Sequence, residues 1–118
     1  MKVLDLEKVL DIEAQSSLTD RFLNNEELYK RFLRKLPDDQ NFARLQEAAA
    51  VWDAKIIELT AHTLKGVCAN LGLVKLSRDF AAIVNLVRMN GDMARLPALM
   101  QEAEEEMAKT IAAIRELD

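Results

Sequence analysis

The sequence predicts an all-α protein: an antiparallel four-helix bundle with an additional short N-terminal helix. Three observations point there. Half of the 118 residues are hydrophobic but only 5% are aromatic, so the core is aliphatic. Only 3 Gly and 2 Pro occur in the whole chain, too few for the many turns of an all-β fold. Apolar residues instead recur at helical spacing in long stretches separated by short breaks, and short connections force consecutive helices to lie side by side. A chain of this length folds as one domain, residues 1–118, and buries about two-thirds of its unfolded surface without a disulfide or metal staple.

From about Leu4 to Glu13, the spacing of Leu6, Val9, Leu10 and Glu13 predicts the short amphipathic helix. Gln15-Ser16-Ser17 ends it, and an irregular join runs on to Phe22. Asn24-Asn25 before Glu26-Glu27 marks a helix start, where an amide oxygen accepts the orphan backbone donors and the acids meet the positive end of the dipole. That helix sets Leu28, Phe32 and Leu36 on one face until Pro37, which lacks an amide donor, kinks or splits it. Phe42, Leu45, Ala48 or Ala49, and Trp52 continue the stripe to Asp53, a cap for a helix from Ala54 that Gly72 closes. Val74 to Met89 carries Leu76, Phe80, Ile83 and Val87 inward and ends at Asn90-Gly91. After Asp92, Pro97 suits the first turn of a last helix with Met100, Ala103, Met107, Ile111 and Ile114 as its seam. The Met93, Met100 and Met107 spacing belongs to that seam, and Glu102 to Glu106 is a solvated face.

Composition excludes several functions. A net charge of −4, with no clustered Lys and Arg, argues against nucleic-acid binding. No apolar run is long enough to span a membrane, and Asp5 and Glu7 stand where a signal peptide has its apolar core, so the expected location is cytoplasmic. Cys68 is the one cysteine, so no disulfide or CxxC metal knuckle forms, as suits a reducing compartment. A zinc site would have to be built on one histidine, and no cofactor is expected in this chain.

The one constellation with chemistry lies between Ala54 and Leu71. With Ile57 at zero and about 100° per residue, Ala61, Leu64, Cys68 and Leu71 fall within roughly 40° of it. His62 falls near 140°, Gly66 near 180°, Ala69 near 120° and Lys65 near 80°, each angle approximate. The histidine therefore faces water, with bare backbone at Gly66 and Ala69 and a cation at Lys65 beside it. Each residue has an ordinary reading: an exposed histidine is usually a surface residue, lysine is common on helices, and Cys68 is core filler. Gly66 is harder to explain, because a mid-helix glycine costs about 0.5 to 1 kcal/mol against alanine and no helix packs there. That cost suggests that another molecule approaches this face.

Ala61-His62-Thr63-Leu64-Lys65-Gly66, followed by Asn70-Leu71-Gly72, resembles the signature of histidine-containing phosphotransfer domains, the HPt modules of two-component phosphorelays. The resemblance covers about residues 21 to 118. It implies a bundle whose exposed histidine accepts a phosphoryl group from an aspartyl phosphate on a response-regulator receiver domain and passes it to another. By that resemblance His62 is the phosphoacceptor, Lys65 the neighbouring cation, and Gly66 and Ala69 the open surface for the partner. The implied partners are receiver domains and a hybrid histidine kinase, with a divalent metal on the receiver and none in this chain. Where many members of the family carry a glutamine against the histidine, this chain has Val84, and Asn85 is the candidate substitute. The connection from Asp11 to Asp20 is longer than usual.

The chemistry is self-consistent. Imidazole is in part a neutral nucleophile near neutral pH, and phosphoryl transfer depends chiefly on positioning and charge neutralisation. No Gly-rich phosphate loop is present, so the chain is expected to be a phosphocarrier without kinase activity. The alternative is a non-phosphorylated helical adaptor that binds receiver-like partners through the same face. A histidine-kinase dimerisation hairpin fits less well, because there an acid and then Arg-Thr-Pro follow the histidine, in place of Thr-Leu-Lys-Gly.

Overall fold

The computed structural model describes residues 1–118 and contains no strand. Its helices are α1 (Ala14–Arg21), α2 (Glu26–Lys35), α3 (Gln40–Ala50), α4 (Ala54–Asn70), α5 (Val74–Arg88) and α6 (Leu96–Arg115), with 3-10 turns at Val3–Lys8, Leu36–Asp38 and Met93–Arg95. α3, α4, α5 and α6 pack in succession, α6 returns to α3, and α2 leans on α6. One cluster of 29 buried apolar residues runs from the N-terminal segment through every helix, so no part of the chain is left to form a separate core.

The helix boundaries follow from local chemistry. Asn25, Asp39 and Asp53 each turn a side-chain oxygen onto an amide of the first turn, of Leu28, Asn41 and Ile56 respectively. Three helices end with the same closure. In α3, α4 and α5 the residue after the cap takes a left-handed conformation, and the next amide donates back to the third-last helical carbonyl: Asp53 to Ala48, Leu73 to Cys68 and Gly91 to Leu86. The left-handed residues are Trp52, Gly72 and Asn90. Trp52 is thus a turn residue with a half-exposed ring rather than the end of the α3 stripe, and at the end of α5 Asn90 rather than Gly91 takes the left-handed conformation.

α4 and α5 are antiparallel. Ser77, early in α5, donates its hydroxyl to the carbonyl of Lys65 late in α4, and Arg88 at the end of α5 pairs with Glu58 near the start of α4. On the opposite flank of α5, Lys75 bonds Asp79 at 2.9 Å and Glu102 of α6 at 3.0 Å. The Asp79 hydrogen bond, with help from Glu102, raises the Lys75 ammonium above the usual lysine range.

Several expectations need correction. Of the two outcomes expected at Pro37, the split is the one that occurs: Leu36–Asp38 forms a 3-10 turn and Asp39 starts α3 anew. The buried stripe of α2 is Tyr29, Leu33 and Leu36, while Leu28 is half-buried and Phe32 is 43% exposed. Tyr29 wins the interior because its hydroxyl donates 2.6 Å to the Leu71 carbonyl, so the ring can be buried without an unpaired polar end. Val87 is only half-buried, whereas Val84 and Leu86 are core residues, and Glu106 in the acidic run is buried rather than solvated. The N-terminal helix from Leu4 to Glu13 does not form. Its place is taken by the 3-10 turn, with Val9 and Glu13 exposed, and the join that follows contains α1.

The reason is tertiary. The Asp11 carbonyl accepts from Val74, the Glu13 amide donates to Gly72, and Ile12 bridges to Leu73, so this backbone is recruited by the α4–α5 turn and cannot continue a helix. Gly72 permits the contact, for its φ is +75° and a Cβ there would stand 2.5 Å from Ser17 Oγ and 2.7 Å from the Glu13 oxygen. Gly72→Ala is therefore expected to lower unfolding stability by about 2 kcal/mol or more, as a strained left-handed residue plus a clash. A melting temperature equal to that of the unsubstituted protein would contradict this account of the turn.

Candidate functional site

α4 is a helix with two unlike faces. Ile57, Thr60, Ala61, Leu64 and Cys68 are buried on its inner side, followed by Leu71 just beyond its end. Thr60 is tolerated there because its hydroxyl donates 2.7 Å to the Ile56 carbonyl. These contacts fix the rotation of the helix and turn His62, Thr63, Gly66 and Ala69 out to solvent, with Lys65 half-buried on the flank towards α5.

The His62 imidazole has no hydrogen bond or ion pair within the chain, and the Lys65 ammonium pairs with no carboxylate. Thr63 turns its hydroxyl back to the Leu59 carbonyl at 3.0 Å and offers little to a partner. A Cβ at Gly66 would meet nothing within 4 Å, so the space over that turn is open. The residues brought together on α4 are thus His62, Lys65, Gly66 and Ala69. Asn85 is not joined to them: it is exposed on α5 and makes no hydrogen bond to the imidazole, and Val84 points into the core at 1% exposure.

Cys68 is fully buried, and burial pushes its thiol up to about 12, so it holds almost no thiolate at neutral pH. Cys68 is thus no part of the exposed face on which His62 stands. Two further residues of this face were overlooked in the sequence. Leu59, 54% exposed, stands one turn before His62, and Lys55 is exposed a turn earlier. The signal for Leu59 was there, because an apolar residue on the solvent arc of a helix wheel has no packing reason to be apolar.

A family model for the Hpt domain matches residues 27–116, most of the chain. The chain belongs to the Hpt domain family. Hpt domains are histidine phosphotransfer modules of two-component systems, phosphocarriers rather than kinases. No curated protein and no solved structure is significantly similar to the chain. The match leaves the first 26 residues outside, so α1 and the bridge at Ile12 are additions to the part of this Hpt domain that the family model describes. No helix is long and apolar enough to cross a membrane.

In this Hpt domain the open space at Gly66 has an energetic corollary. Gly66→Ala is expected to raise stability by up to about 1 kcal/mol, because alanine restricts the unfolded chain and meets no atom in the folded one. Thermal melts of the two proteins under the same conditions test it, and a loss of stability would show that the glycine serves the fold.

Proposed function

We propose that His62 is the phosphoacceptor of a phosphorelay intermediate. It takes a phosphoryl group from an aspartyl phosphate on one response-regulator receiver domain and gives it to the aspartate of another, upstream partners including a hybrid histidine kinase in the cytoplasm. The observation that carries the reading is the placement of the motif histidine: solvent-exposed, unbonded, and one turn from a glycine with open space above it, in a chain that belongs to the Hpt family.

In the forward step a ring nitrogen of neutral His62 attacks phosphorus with its lone pair. The P–N bond forms, the P–O bond to the aspartyl carbonyl breaks, and the carboxylate leaves with that electron pair. The other ring nitrogen keeps its proton, so no base is needed. The second transfer reverses these roles, and a receiver carboxylate displaces neutral imidazole. Because the chemistry is mostly positioning and charge neutralisation, an exposed platform suffices on this side, and the divalent metal expected on the receiver supplies Lewis-acid assistance there. Phosphorylation adds about two negative charges to a face where Lys65 is the nearest uncommitted cation, and a charge-assisted bond from its ammonium offsets them. Gly66 and Ala69 keep the approach clear, and Asn85, exposed on α5, stays a candidate contact for the partner rather than for the imidazole.

His62→Gln is expected to abolish labelling from a phosphorylated receiver while leaving the melting temperature nearly unchanged, since an exposed substitution usually stays within about 0.5 kcal/mol. Label on the unsubstituted protein should be lost in mild acid and survive alkali, as a P–N bond does. A label that alkali removes would not be a P–N bond and would place the phosphate on a carboxylate or a hydroxyl instead. Lys65→Ala should slow transfer several-fold without stopping it, and unchanged single-turnover rates at low salt would remove Lys65 from the site. Gly66→Leu should fold normally yet transfer poorly, because a side chain standing beside His62 obstructs in-line approach. Transfer at the original rate would mean that the receiver does not dock across this face.

A further inference from the structure

The exposed face of α4 does not stop at Ala69. It runs into a cleft of about 480 Å³ between the end of α1, α2 and the last turn of α4. Phe22, Phe32, Leu36 and Leu71 give it an apolar floor, and Asn70 joins it to the His62 face. Phe22 stacks on buried Tyr29 with ring centroids 4.9 Å apart and meets Phe32 at 5.5 Å, so the floor is rigid although Phe32 is 43% exposed. The rim is cationic. Arg21 makes no ion pair in the chain, and Lys35 lies 4.8 Å over the Phe32 ring. The one carboxylate at the cleft, Asp39, already accepts the Asn41 amide with one of its oxygens.

Distance places this cleft inside the footprint of anything that docks on His62. Asn70 is eight residues along α4, about 12 Å at 1.5 Å per residue. A standard interface covers about 800 Å² on each partner, a disc of roughly 16 Å radius. Charge gives the direction of fit: a receiver site that holds a divalent metal beside its aspartate is necessarily rich in carboxylates, and this rim offers two cations on a chain whose net charge is −4.

We propose that the α1–α2 cleft is a second anchor for the receiver domain, taking an apolar side chain on its aromatic floor and a neighbouring carboxylate on Arg21 and Lys35, and that it selects which receiver is served. The proposal rests on the reading of His62 as phosphoacceptor. Arg21 and Phe22, which make half of the anchor, lie before the residues matched by the Hpt family model. Arg21 also lines the polar cleft on the other side of α1, which makes α1 a wall at the end of the docking face.

The test uses the full chain, with Arg21→Glu, Lys35→Glu, their combination, and Lys109→Glu on the solvent face of α6 as a control for net charge. The phosphodonor is a receiver domain, chosen from a panel as one that labels the unsubstituted protein. The double variant should raise KM for that receiver about tenfold with kcat changed less than about twofold, as rim charges act on encounter rather than on chemistry. Its KM should also lose most of its salt dependence, and Arg21→Lys should restore the original value. Direct phosphorylation of His62 by phosphoramidate, which needs no docking, should be unaffected. A KM equal to that of the unsubstituted protein overturns the proposal while leaving His62 as acceptor. So does an equal rise in Lys109→Glu, or retained transfer with a change in self-association, which would put a second copy in the cleft. If no receiver labels the unsubstituted protein, the reading of His62 fails and the anchor fails with it.

Discussion

Burial of the inner stripe of α4 is the constraint on which the rest of the structure depends. Ile57, Ala61, Leu64 and Cys68 are each fully buried, and α3 and α5 pack on the two flanks of the same helix. Once those side chains are inside, the helix has no rotational freedom left, and every outward residue is placed by the 100° step of the backbone rather than by contacts of its own. His62 is held in position although nothing touches its ring. The ties at the two ends of the α4–α5 pair, Ser77 to Lys65 and Arg88 to Glu58, add register along the axis, so the site's height on the bundle is set as well as its direction.

A platform built this way gives up some stability for access. Gly66 lowers helix propensity, Leu59 exposes apolar surface beside His62, and Lys65 holds an ammonium without a carboxylate partner. None of these choices improves the isolated bundle, and together they describe a surface that expects a partner. The core behind it is conservative by contrast: aliphatic side chains, a satisfied Thr60 and an inert Cys68, whose thiol burial holds near 12.

The N-terminal segment bears on this face through the turn after α4. Gly72 lets the chain pass close enough for residues 11–13 to bond it, the Ile12–Leu73 bridge fixes the crossing, and α1 is laid against the last turn of α4. Tyr29 seals the other side by donating to Leu71, the residue just before that glycine. One turn thus couples the family's bundle to the part of the chain that the family model leaves outside.

By itself the sequence determined helices α2 to α6 and the outward face of α4. The Asn25 and Asp53 caps, the Gly72 closure, Pro97 in the first turn of α6 and the wheel from Ile57 to Leu71 are local features, readable because a cap or a 3.6-residue stripe carries its own stereochemistry. Only the tertiary structure decided which face of α2 is buried, where the N-terminal segment runs, and that a short polar stretch from Ala14 forms a helix at all. Tyr29 outranks Phe32 because a carbonyl 42 residues away satisfies its hydroxyl, and the Leu4–Glu13 helix is lost because the α4–α5 turn claims its backbone bonds. Asn85 illustrates the same limit at the site, since its distance from the imidazole depends on how two helices are rotated against each other. Partners remote in sequence leave no periodic trace along the chain, and those partners made the decisions that the sequence alone could not.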